Sequence, residues 1–257
     1  MRRVTPFDAR GYYYYYGSGA TDPMRRGSLV GGFNPLSLSP SGFWLPEPQY
    51  LFEEEDGTGT ITATEAVGYV TDQSGNGSHL VQATAGARPT YQTSGGLHWL
   101  QSATNDFMAV ARTRAQPWER VSAWRILTLA AATVFAGGNA ANNFGALYID
   151  AGGTEIRMFA AAELTGHAAP AQDVDFVVTE RWNGASSRIA VDNGSYVTGD
   201  PGAGTSGALT LFSNGDGATQ FIIARCYGIF ERDGATLTDA QIGQLRSYFA
   251  ARQGRVL

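Results

Sequence analysis

Between residues 72 and 100 the chain reads DQSGNGSHLVQATAGARPTYQTSGGLHWL, and this stretch limits the fold more than any other. It opens on a polar turn, Asp72-Gln73-Ser74-Gly75-Asn76-Gly77. The glycines and the asparagine tolerate positive φ, and their neighbours can satisfy the backbone locally. Asn76-Gly77 suits a two-residue hairpin turn. A short extended segment follows at residues 79–82, then Arg88-Pro89-Thr90, then alternating apolar residues at Leu97 and Trp99. By themselves these residues describe a β-rich domain with ordered turns and leave its ligand open.

The rest of the chain continues the pattern. Its 33 glycines suit many turns between short strands. Strands are expected at residues 107–112, within 121–135 (one long or two) and at 208–212. Two hairpins are expected, 144–150 with 155–161 across Ala151-Gly152-Gly153, and 173–183 with 187–192 across Asn183-Gly184. Residues 221–230 are almost continuously apolar, as in a strand covered on both faces, and Cys226 within them reads as a small core residue rather than a nucleophile. The last element is a helix. Thr238 caps it, Gln241 completes a capping box, and Leu237 and Ile242 are placed as a hydrophobic staple. Ile242, Leu245, Tyr248 and Phe249 share one face, and Gly254 ends it. Ten to fourteen strands with one helix point to a two-sheet sandwich.

Three motifs carry a resemblance. They are the Asp-x-Ser-Gly-Asn-Gly-x-His turn at residues 72–79 with its Arg-Pro-Thr and Gly-Leu-x-Trp-Leu sequels, the Phe33–Pro40 run FNPLSLSP ahead of Trp44, and the closing Leu-Thr-x-x-Gln-Ile-x-x-Leu helix. In this order they resemble the laminin-G-like, concanavalin A-like jelly-roll domain frequent in structural proteins of tailed phages. The resemblance covers roughly the last four-fifths of the chain. It implies an all-β, two-sheet antiparallel jelly-roll sandwich at residues 46–257, preceded by an extended arm at residues 1–45.

Composition narrows the function. Charged residues make up 16% of the 257-residue chain and hydrophobic residues 43%, which suits a packed core. All 18 basic residues are arginine, so lysine chemistry is excluded. A net charge of −5 predicts no nucleic-acid face. One cysteine allows neither an internal disulfide nor a cysteine metal cluster. No apolar run approaches a membrane span, and no apolar signal segment follows Met1-Arg2-Arg3. The longest apolar run, residues 126–137, reads as buried strand.

No catalytic constellation emerges. The Glu-x-Asp-x-x-Glu strand signature expected of a retaining glucanase is absent, and Asp173-x-Asp175 is better explained as ordinary polar residues at a strand edge. His79, His98 and His167 lack partners at metal-ligand spacing. The acidic run at residues 53–56 lacks the alternation of a calcium loop and reads as a solvated turn. Nucleophile elbows, phosphate loops and dinucleotide fingerprints are missing. Binding remains, and lectin-type loops supply the candidates: Asn139, Asn142, Asn143, Asn193, Tyr196, Asn214 and Asp216. Trp99, Trp124 and Trp182 are alternative platforms for which core packing is the plainer use. No cofactor is expected, although the resemblance admits calcium at Asn214 and Asp216.

Tyr12, Tyr13, Tyr14, Tyr15 and Tyr16 form an unbroken run. In an extended segment they would present aromatic surface on both sides, as an assembly arm held between two surfaces would. The expectation is therefore a non-enzymatic virion protein, made in the host cytoplasm. Its arm would contact other virion proteins, it would assemble as a homo-oligomer, most plausibly a trimer, and its outer domain would meet a host-surface glycan. A free carbohydrate-binding module and a divergent polysaccharide hydrolase are the alternatives.

Overall fold

A computed structural model describes residues 32–130, 132–138, 145–215, 217 and 219–257. The run Tyr12–Tyr16 and the first 31 residues of the proposed arm, together with Asn139, Asn142, Asn143 and Asp216, lie outside the described residues.

Two antiparallel sheets face each other, as the jelly-roll expectation requires. The first contains β1 (Gly42–Trp44), β5 (Thr90–Ser94), β6 (Leu97–Gln101), β8 (Trp118–Thr128), β13 (Asp175–Trp182), β14 (Ser187–Val191), β15 (Val197–Gly199) and β17 (Ile223–Asp233). Its order is β15-β14-β13-β8-β17-β6-β5, with β1 also paired to β17. The second contains β2 (Leu51–Phe52), β3 (Tyr69–Val70), β4 (Leu80–Val81), β7 (Met108–Arg114), β9 (Val134–Gly137), β10 (Ala146–Ile149), β11 (Glu155–Phe159), β12 (Glu163–Ala168) and β16 (Ser206–Leu211). Its order is β12-β11-β10-β9-β16-β7-β4-β3-β2. These 17 strands among the described residues exceed the ten to fourteen expected, because several have only two or three residues. Residues 126–137 divide between β8 and β9 rather than forming one buried strand.

The helix α1 (Asp239–Arg252) starts as its sequence dictates. Thr238 Oγ1 accepts from Gln241 N at 3.2 Å, and Gln241 Oε1 accepts from Thr238 N at 2.9 Å. Leu237, Ile242, Leu245 and Phe249 pack on the outer face of the first sheet, against Val121, Ala123, Val177 and Phe230. That sheet is therefore covered on both faces. Side chains alternate along its strands, so Trp124, Phe176 and Ile229 point to the inter-sheet core while their neighbours Ala123, Val177 and Phe230 point to the helix. A bulge in β17 between Cys226 and Gly228 keeps this parity. Tyr227 and Phe230 both face outward although three residues apart. None of the described helices is long and apolar enough to cross a membrane.

Two expectations are corrected. Asn76-Gly77 is not a two-residue hairpin. β3 and β4 pair as Tyr69↔Val81 and Val70↔Leu80, so a longer loop joins them, built around Asp72. The Asp72 carboxylate accepts from Ser74 N and Oγ, Ser78 N and Phe43 N at 2.7–3.0 Å, and Asp72 N donates to His79 Nδ1. Residues 33–45, grouped above with the arm, belong to the sandwich. Phe43 N is held by Asp72, β1 pairs with β17, and Leu38, Phe43 and Leu45 fill the core beneath the helix.

Candidate functional site

The interior of the first sheet carries an unusual charge row. Glu180, Arg120 and Glu231 lie side by side on β13, β8 and β17, all pointing inward and all fully buried. Arg120 forms a fork with Glu180 at 2.7 and 2.6 Å, and its other nitrogen lies 3.6 Å from Glu231. From the opposite sheet Arg114 pairs with Glu231, and the indole of Trp118 sits against both guanidiniums at 4.6 and 5.4 Å. Burial pushes the Glu180 carboxyl up, while Arg120 pulls it back. Fully buried, this cluster ties the two sheets together.

One residue along, the pleat turns the next row outward, where Arg181 on β13 fastens Glu119 on β8 at 2.5 Å beside the start of α1. At the other end of the helix a second outward row runs across five strands. Asp175, Arg125, Arg225, Gln101 and Thr90 are register partners on β13, β8, β17, β6 and β5. Helix α1 stops short of them. Its C-cap Gln253 donates to the carbonyls of Trp124 and Phe176, each next to a residue of the row. All five side chains are half-buried.

The row is pre-ordered. Arg125 grips Asp175 through Nε–Oδ1 at 2.7 Å and Nη2–Oδ2 at 2.5 Å. The Arg225 guanidinium lies 4.5 Å over the ring of Trp99, a cation–π contact that fixes its plane. Trp99 Nε1 donates to Gln101 Oε1 at 3.4 Å, and the Gln101 amide nitrogen bonds no protein group among the described residues. Tyr227 sits beside the row, its phenol pushed up to about 12, first by burial and then by the Asp175 charge. These planar donors and acceptors on a rigid sheet can hydrogen-bond a ligand rich in hydroxyls.

The sequence-expected residues fall elsewhere. Asn193 is exposed in the turn after β14. The Tyr196 ring lies 3.8 Å from the Arg188 guanidinium and 5.0 Å from that of Arg246, closing the sheet edge against α1. Asn214 spans its own loop, donating to Thr219 Oγ1 at 2.5 Å. The described residues hold no group of three or more His, Cys, Asp or Glu suited to a metal. Trp124 and Trp182 are core residues, and Trp99, 7% exposed, serves the outer row through Arg225. The Cys226 thiol is buried and pushed up to about 12, as an inert core thiol should be. Asp173 and Asp175 both act on the charge of Arg125, but only Asp175 forks with it. Asp173 sits before β13 with φ 61°, whereas Asp175 joins the row. The acidic run is exposed, and Arg88 ties it down by donating to Glu53 O at 2.7 Å.

No family model matches the chain, and no curated protein matches it. Solved structures do. One is a GH54 α-L-arabinofuranosidase soaked with a cyclic sulfate inhibitor, with TM-score 0.62 and 15% identity over 86% of this chain and 65% of that one. Another is an arabinofuranosidase complexed with arabinofuranosyl-α-1,2-xylobiose, with TM-score 0.55 and 18% identity over 74% of this chain and 51% of that one. A third is domain 4 of AbnA, a GH43 extracellular arabinanase from Geobacillus stearothermophilus, in complex with arabinotriose. It has TM-score 0.50 and 12% identity over 68% of this chain and 92% of that domain. The chain thus spans less than two thirds of the two arabinofuranosidases. At these identities the likeness is one of fold, a β-sandwich of concanavalin-like jelly-roll type.

Proposed function

We propose that this chain is a non-enzymatic carbohydrate-binding protein of a phage or phage-like particle, whose sandwich recognises a host-surface glycan through the outer row. The observation that carries the binding role is the row itself: five half-buried polar side chains in register, pre-ordered by the Arg125–Asp175 fork and the Arg225–Trp99 stack. Sugar-binding neighbours of the same fold, such as the domain in complex with arabinotriose, support the ligand class. A binding rather than hydrolytic role is supported by the carboxylates. The row offers one, already engaged by Arg125, where glycoside hydrolysis calls for two. The particle rests on the resemblance carried by the motifs at residues 33–44, 72–79 and 237–245, the assembly arm on the run Tyr12–Tyr16, and a trimeric state on that arm and the resemblance together.

A glycan array probed with the full chain tests the binding role. Specific binding is expected, and the double variant Gln101→Ala/Arg225→Ala, checked by circular dichroism to be folded, should lose it. Absence of any glycan signal, or binding indifferent to these substitutions, would overturn it. Immuno-electron microscopy of particles tests the location, since unlabelled particles would sink the virion reading.

A further inference from the structure

We infer that the outer row selects an acidic saccharide, whose carboxylate completes the ion pairing of Arg225. This rests on the row being the glycan site and names the ligand chemistry there.

Arg225 and Arg125 are direct register partners on adjacent strands and point to the same face. Like charges set opposite each other across two strands repel, so each needs a counter-charge. Asp175 supplies one, and both its oxygens are taken by Arg125. Within 4.0 Å of Arg225 no carboxylate is found among the described residues. The Trp99 ring offsets part of the charge from below. The other groups facing Arg225 are neutral, namely the Gln101 amide, Thr90 and the Tyr227 phenol. The row therefore keeps one net positive charge on a chain whose total is −5. Arg225 Nε is shut in without a partner, and the half-buried guanidinium has the Tyr227 phenol as its one side-chain hydrogen-bond partner among the described residues. A guanidinium fixed in plane by an indole and lacking a carboxylate of its own matches a carboxylate in two-point contact better than it matches a hydroxyl.

The test is calorimetric titration of the full chain with uronic- and sialic-acid oligosaccharides, each paired with its carboxyl-reduced form, and with sulfated oligosaccharides of similar length. Each acid that binds is expected to do so about tenfold or more tighter than its reduced form. The preference should shrink as salt is raised, and Arg225→Gln should abolish it. Arg225→Lys keeps the charge without the fork and should retain only part of it, which keeps the test decisive if the glutamine variant does not fold. Equal affinity for acid and reduced forms would overturn the inference while leaving the glycan site standing. Stronger binding of sulfated than of carboxylated probes would overturn the carboxylate assignment. No binding by any oligosaccharide would overturn the glycan site as well.

Discussion

Gly228 lies so close beneath Phe249 that a β-carbon on it would sit 2.9 Å from the ring's Cε1, and 2.8 Å from Leu45 Cδ2. Its φ of 144° is also one that side chains rarely adopt. The β17 bulge and the helix face above it are thus fitted to each other. Gly228→Ala combines backbone strain with overpacking and should cost about 2–5 kcal/mol, read as a lower urea midpoint. A change under about 0.5 kcal/mol, the ordinary scatter of surface substitutions, would show that the fit is loose.

The enclosed Glu180–Arg120 fork makes a second prediction. Removing one partner leaves a buried charge uncompensated, so Glu180→Leu should lose about 3–5 kcal/mol. Arg120→Met/Glu180→Leu, which removes both charges, should be less destabilised than the sum of the single changes. Arg120 also approaches Glu231, so the double variant should not fully recover. Additive single effects in a double-mutant cycle would contradict the pairing.

His98 predicts a pH dependence. Its Nδ1 meets Tyr91 Oη at 2.6 Å, and burial, with a smaller push from Arg252, holds it below the ordinary imidazole value of 6.5. Below that pH the unfolded chain takes up a proton that the folded histidine resists. The unfolded state then binds more protons, so stability falls as pH drops below 6.5 and levels off once the folded group protonates too. His98→Gln should flatten that part of the stability curve between pH 7.5 and 5. Equal slopes for variant and parent would exclude His98 as the source.

At the helix start, Thr238→Ala removes the acceptor for Gln241 N and should cost about 1 kcal/mol, measured by thermal unfolding. Thr238→Ser, which keeps the hydroxyl, should stay close to the parent.

Local elements of the fold are legible in the sequence. The capping box at Thr238 and Gln241 is written within four residues, and the β10–β11 and β13–β14 hairpins announce themselves by turn residues between alternating strands. What is not legible depends on distant pairing. Arg225 and Arg125 lie a hundred positions apart, so neither their register nor their shared face appears in either segment alone. β12 is weakly patterned and β15 has three residues, and both pair as edge strands with their sequence neighbours. Tyr196 in a polar turn reads as an exposed platform, yet two arginines from separate elements close over its ring. The outward polarity of Glu119, Arg125 and Arg181 was the available signal for the site. Its meaning emerges only with the pleat direction fixed by Trp124 and Phe176.

The pairing of β1 with β17 also has a mechanical side. Gly42 sits opposite Glu231 and Trp44 opposite Ile229, with Phe43 clamped to Asp72 and Pro40 to Asn76. Tension arriving from the N-terminal side is therefore handed to β17, the strand that carries Arg225. Were the proposed arm to act as a tether and the proposed glycan to hold Arg225, the pull would enter β17 beside Glu231 and leave it at Arg225, along a single strand.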